Sequence, residues 1–208
     1  MTKKRIILFA VALLLSLGGV EAKKIPGQVI GNDGTVKDVI FNLPVNLFGD
    51  LNYQKIQSRI VYYEGEKRTV LKPDDAREIN FTYQHENVRM LSRVNSIRGG
   101  SIFSSQKNIF LKLIIDGKLK LFEFFFKSRS PGMQTAGGFS PGTTYTVETF
   151  IMQKGDAPLK EIAGLGFRKD MSDYFRDCPE VADQIKTKEL RRRDIEVIVM
   201  EYNRKCGL

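Results

Sequence analysis

Two cysteines, one histidine, two acidic clusters, a glycine turn and a run of arginines carry the chemistry open to this 208-residue chain. Cys178 and Cys206 are the only thiols, no C-x-x-C is present, and His85 is far from both in sequence. Neither a zinc site nor a thiol nucleophile has a supporting motif. A single histidine also excludes a site of several imidazoles. His85 lies in Gln84-His85-Glu86-Asn87 between two strand patterns, with no G-x-S-x-G elbow, and reads as a surface turn residue. Calcium would need clustered oxygen ligands. Of the acidic groups, Asp74-Asp75 are adjacent, and Asp170, Asp173 and Asp177 recur at helical spacing among Arg168, Lys169 and Arg176. That second pattern is the signature of a solvated, salt-bridged helix face.

Gly164-Leu165-Gly166-Phe167-Arg168-Lys169 begins like a phosphate-binding turn and opens a helix. A helix N-terminus attracts anions. The third glycine and the surrounding βαβ unit are missing, so nucleotide binding is not expected, and the segment reads as a backbone turn joining sheet to helix. The densest basic patch is Lys186, Lys188, Arg191, Arg192 and Arg193. Within it, Lys188, Arg191, Arg192 and Arg193 are the candidate contacts for an anion or a partner. No catalytic, cofactor-binding or metal-binding residue is assigned, and no cofactor is expected. The alternative chemistry is a hydrolase acting on envelope polymers through carboxylates such as Asp74, Asp75 or Glu86, since paired carboxylates cleave glycosides at defined separations. Asn80-Phe81-Thr82 matches a glycosylation sequon, which matters only in a eukaryotic secretory route.

The compartment is read from the N-terminus. Lys3, Lys4 and Arg5 precede a 12-residue apolar run, Ile6 to Leu17, followed by Val20 and Ala22 at the −3 and −1 positions of a cleavage site. The run is short of the roughly 20 residues that span a bilayer. Residues 1–22 are therefore expected to be a signal peptide, and the mature chain to begin at Lys23 with no transmembrane segment. The chain is basic, with 33 Lys+Arg against 24 Asp+Glu. For an exported protein this favours an envelope protein or an anionic envelope component as partner over nucleic acid. Export also favours a Cys178–Cys206 disulfide, which closes a loop of 28 residues and would stabilise the fold by ~3.5 kcal/mol.

The elements that must hold these groups change character along the chain. Residues 23–160 read as an antiparallel β-rich domain, part barrel or sandwich. Val29-Ile30 and Val36 to Phe41 flank Asn32-Asp33-Gly34, and Ile109 to Phe126 alternates on both sides of Asp116-Gly117, two hairpin signals. Gln57 to Tyr63, Arg68 to Leu71, Ile79 to Tyr83, Val88 to Val94 and Tyr145 to Gln153 are further strands. Pro73 to Arg77 suits a single helical turn, and residues 128–143 a long loop. Phe122, Phe124, Phe125 and Phe126 are assigned to the core. From residue 161 to 208 the period becomes helical. Phe167, Met171, Tyr174 and Phe175 share one face, Val181 and Ile185 a second, and Ile195, Ile198, Val199 and Tyr202 a third. The class is α+β, with a small disulfide-clamped helical C-terminal subdomain packed on the sheet.

Asp177-Cys178-Pro179, followed by Tyr202-Asn203 and Cys206, resembles a group of uncharacterised exported proteins of Bacteroidota-type Gram-negative bacteria. Gly27-x-Val29-Ile30, Leu71-x-Pro73-x-Asp75 and the Phe110-Leu111 to Phe122 hairpin are similar to that group as well. The resemblance implies a bacterial periplasm or outer cell surface. It supplies no activity.

Overall fold

A computed structural model describes residues 22–97, 106–135 and 137–207. The expected leader, apart from Ala22, lies outside the described residues. In chain order the strands are β1 (Ala22–Ile30), β2 (Val36–Pro44), β3 (Ile60–Glu64), β4 (Lys67–Leu71), β5 (Glu78–Tyr83), β6 (Glu86–Val94), β7 (Asn108–Ile115), β8 (Leu119–Arg129), β9 (Met133–Thr135), β10 (Gly138–Ser140), β11 (Thr144–Lys154) and β12 (Lys160–Glu161). The helices are α1 (Tyr53–Ser58), α2 (Phe167–Tyr174), α3 (Pro179–Lys186) and α4 (Ile195–Cys206), with a 3-10 turn at Arg192–Asp194.

Ten strands form one open antiparallel sheet in the order β12-β11-β8-β7-β6-β5-β1-β2-β3-β4. Two meanders meet where β1 pairs with β5. The Asn32-Asp33-Gly34 turn is built as its sequence demands: the Asp33 carboxylate accepts from the Thr35 amide at 3.0 Å and hydroxyl at 2.7 Å, and Gly34 takes the left-handed φ of +87°. Alternation then sorts the faces. Along β2, Val39, Phe41 and Leu43 are buried while Ile40 points outward. They pack with Ile60 and Tyr62 of β3, Ile79 and Phe81 of β5, and Ile56 of α1. Removing such side chains from water contributes about 1.5–3 kcal/mol each.

Three local expectations are corrected. Gln57 and Ser58 belong to helix α1, not to the strand that follows. Asn52 caps that helix by accepting from the Lys55 amide at 3.1 Å. Pro73 to Arg77 holds a hydrogen-bonded turn, Asp75 N to Lys72 O at 3.0 Å, without a helical turn. Residues 128–143 are no plain loop, because β9 and β10 pair as a small hairpin within them. Phe122 and Phe124 are buried as expected, and Phe125 stacks on Tyr53 at 4.8 Å.

Two side-chain amides extend the ladder between β7 and β8. Backbone pairing along this hairpin runs only from Lys112↔Glu123 to Ile115↔Leu121. Beyond one end, buried Gln57 donates to the Phe125 carbonyl at 3.1 Å and accepts from its amide at 2.7 Å. Beyond the other, Asn203 donates to the Leu119 carbonyl and accepts from its amide, both at 2.8 Å. Each amide presents the donor and acceptor that a neighbouring strand would have offered. Gly117 permits the second of these, since a Cβ there would come within 2.5 Å of the Asn203 side chain.

The helical end covers the β8/β11 side of the sheet. Met171, Phe175, Val181, Ile185, Ile198, Val199 and Tyr202 share one cluster with Leu119, Leu121 and Met152. No helix among the described residues is long and apolar enough to cross a membrane. The distinctive C-terminal pattern holds this unit in place. Cys178 is bonded to Cys206, the Tyr202 hydroxyl donates to Asp177 at 2.7 Å, and Pro179 opens α3. Lys154 of β11 donates to the Tyr174 carbonyl and to Asp177, both at 2.6 Å. Its ammonium lies over the rings of Tyr174, Phe175 and Tyr202 at 4.4, 5.2 and 4.7 Å.

Candidate anion-binding site

Helix α2 begins without a side-chain cap. Its N-cap is Gly166, with φ of +74°, and no side chain bonds the first-turn amides. Glycine is the residue that takes this backbone shape without strain. Helix α3 ends close by, and its continuation folds against the Gly164–Gly166 turn. Between them lies a cleft of about 600 Å³ lined by Arg168, Lys169, Lys188, Arg191 and Arg192, with Ile185, Phe167 and Leu190 as its apolar part. The Arg192 guanidinium lies against the turn at Gly164, at ordinary van der Waals distance from where a Cβ would stand.

None of these five cations is in an ion pair among the described residues. Some basic side chains of the same helical end do meet carboxylates. Lys186 pairs with Asp183, Arg193 with Asp194, and Lys205 with Glu180 and Glu201. Arg191 is held by two local hydrogen bonds. Arg191 Nε donates to the Lys188 carbonyl at 3.3 Å, and the Arg191 amide donates to Asp194 at 2.8 Å. Lys188 itself stands at φ +68°, a left-handed conformation that side chains other than glycine rarely take.

Of the four predicted contact residues, the structure brings Lys188, Arg191 and Arg192 into this cleft. Arg193 faces a neighbouring cavity of about 450 Å³, which shares Arg192 and includes Glu148 and Phe150. Arg168 and Lys169 were expected on a salt-bridged helix face, but neither Asp170 nor Asp173 is in an ion pair among the described residues, and both cations turn to the cleft. Asp177 alone of that acidic series is paired, with Lys154. No group of three or more metal-ligating side chains occurs among the described residues.

The carboxylates considered for hydrolysis have structural partners. Asp74 accepts from Asn108 at 2.6 Å, and Asp75 accepts from the Lys72 amide at 3.0 Å. Glu86 is bound by Lys112 at 2.8 Å, and the same ammonium holds Glu123 at 2.9 Å. Burial pushes the Glu123 carboxyl above its usual range despite this partner. Burial opposes the charge on Lys112 as well, yet Glu86 and Glu123 together hold its ammonium protonated beyond the ordinary lysine range. The adjoining Tyr53 hydroxyl is pushed up to about 12, mainly by burial. An ammonium standing between two carboxylates is an ion-pair triad, not a pair of carboxylates facing a substrate. His85 occupies the second position of the two-residue turn between Tyr83 and Glu86, with φ of +70°, as a surface turn residue should.

Comparison with protein-family models, curated proteins and solved structures found no match.

Proposed function

We propose that this protein is an exported, non-catalytic binding module that holds an anionic component of the bacterial envelope in the α2–α3 cleft. The observation that carries the reading is the set of five cations around one concave site, none of them in an ion pair among the described residues. Like charges brought together repel, and a protein bears that cost where an anion relieves it. The first turn of α2 has no side-chain cap and adds backbone N–H donors, with the Asp170 carboxylate standing beside Gly166 at the same end. Arginine suits phosphate and carboxylate through its planar two-point donor geometry. Export is supported by the leader pattern, by the disulfide and by the resemblance to exported Bacteroidota-type proteins. The periplasm or the outer surface is the compartment that unites them.

The test is sedimentation of the mature chain with vesicles of phosphatidylglycerol, with lipopolysaccharide, and with neutral phosphatidylcholine as control. Binding to an anionic partner should weaken steeply between about 50 and 300 mM salt, over which the Debye length falls from about 14 Å to about 6 Å. Arg191→Ala combined with Arg192→Ala should abolish it. Equal binding by the double variant, or equal binding to the neutral vesicle, overturns the proposal.

A further inference from the structure

Leu165 is the most exposed large apolar side chain among the described residues, at 94% of its full accessibility. It stands in Gly164-Leu165-Gly166, the turn between buried Ile162 and helix α2. The flanking glycines have no side chains, so nothing next to Leu165 in sequence shields it. The turn itself does not call for a leucine. Gly166 supplies the left-handed φ of +74°, and its carbonyl accepts from the Asp170 amide at 3.0 Å. Small and polar residues are the usual occupants of turns, and a leucine here forgoes the stabilisation that burial would bring.

A lone exposed leucine is ordinary on a protein surface; the surroundings of this one are not. Gly164 and Gly166 both line the cleft of Arg168, Lys169, Lys188, Arg191 and Arg192, whereas Leu165 does not, and so projects from its rim. Apolar surface continues inward from that rim, because Phe167 and Leu190 line the cleft and are only partly buried. Asp170 stands beside Gly166, and the five cations outweigh its single charge. All five are exposed. One edge of the helical end therefore carries positive charge and a protruding aliphatic chain together. A soluble anion engages the charge and leaves the leucine in water. A phospholipid surface engages both, since its phosphates lie directly above its hydrocarbon. Lysine is depleted from protein–protein interfaces, whereas lysine and arginine beside an apolar tip are the composition of surfaces that lie on anionic bilayers.

We infer that the anion of the α2–α3 cleft is the headgroup phosphate of a phospholipid bilayer, and that Leu165 inserts into the hydrocarbon boundary beneath it. The inference rests on the cleft reading above and names its partner. The five cations draw the helical end onto an anionic surface through a field that fades within a Debye length. At that range Leu165 leaves water, and the part-buried edges of Phe167 and Leu190 follow it toward the headgroups. Charge attraction combined with an apolar insertion is the two-signal form of reversible membrane attachment.

The chain contains no tryptophan, so Leu165→Trp places a single fluorescent reporter at the tip, with a ring suited to the membrane interface. The mature variant is titrated at low salt with phosphatidylglycerol vesicles, with phosphatidylcholine vesicles, and with glycerol 3-phosphate, which carries the charge without the chains. The expected result is a blue shift of the emission with phosphatidylglycerol vesicles, quenched by lipids brominated on the acyl chain, and no shift with glycerol 3-phosphate. Leu165→Ser should bind phosphatidylglycerol vesicles about tenfold less tightly than the parent, with the same salt dependence and the same melting temperature. Adding Arg191→Ala and Arg192→Ala to Leu165→Trp should abolish the blue shift. Salt-sensitive vesicle binding without blue shift or quenching overturns the inference and leaves the cleft reading standing, as does equal binding by Leu165→Ser. A blue shift with glycerol 3-phosphate alone also overturns the inference. A blue shift kept by the arginine variant, or equal on phosphatidylcholine, overturns the cleft reading and the inference with it.

Discussion

Replacing Lys188 by glycine should make the protein more stable and a poorer ligand for anions. The residue follows α3 and closes it, with its amide donating to the Ile185 carbonyl at 3.2 Å and its φ at +68°. An L-residue in this left-handed region costs about 1–2 kcal/mol. Glycine relieves that strain but loses about 0.5–1 kcal/mol of chain entropy on folding. The side chain is exposed and in no ion pair among the described residues, so no other stabilising contact is forfeited. The balance is a gain of about 0.5–1 kcal/mol. For a chain of this size that raises the melting temperature by about 1–4 °C. Removing one of five cations around the cleft should weaken anion binding about three- to tenfold. Lys188→Ala is the control, since it removes the ammonium and keeps the strained backbone: affinity should fall as in Lys188→Gly, without the gain in melting temperature. Calorimetric melts and a titration with anionic vesicles at low salt measure both quantities. A melting temperature for Lys188→Gly at or below that of the parent would show that no strain is stored at this position. An unchanged affinity in both variants would remove the lysine from the site.

Two further outcomes follow from the helical end. Cys206→Ser should destabilise the fold by about 3 kcal/mol, measured by urea unfolding, and a variant as stable as the parent would mean the clamp contributes nothing. Burial works against the charge of Asp177, but hydrogen bonds from Lys154 and Tyr202 outweigh it and hold the carboxyl below its usual range. A carboxyl depressed in the folded state contributes stability above its unfolded pKa of about 3.9, and that contribution is lost as pH falls through the folded value. Asp177→Asn should therefore narrow the stability difference between pH 7 and pH 3; an unchanged pH profile would exclude Asp177 as a source of acid sensitivity.

Local chemistry made much of the fold legible. Asn32-Asp33-Gly34 and Asp116-Gly117 announce their hairpins because glycine supplies the turn φ, +87° at Gly34 and +159° at Gly117. The three helical stripes at the C-terminus likewise show through their period, because each buries one face. Helix α1 was hidden. Its six residues resemble the strand beside them, and Gln57 is held by Phe125, 68 residues further along the chain. The Asn52 cap was the one local sign of it. The cleft was half legible. The glycine turn and the basic run are each visible in sequence, but only the packing of α2 on α3 makes them neighbours and turns Arg168 and Lys169 the same way. The meeting of Gln28 and Asn80 on one sheet face was not legible at all, since it arises only through the pairing of β1 with β5.

The bridge between Cys178 and Cys206 encloses the whole stretch that carries Lys188, Arg191, Arg192 and Arg193. Such a basic stretch is the natural target of trypsin-like proteases. A cut after any of these residues opens one peptide bond, yet both new ends stay tethered through sulfur to the same body. A nick there sheds no fragment.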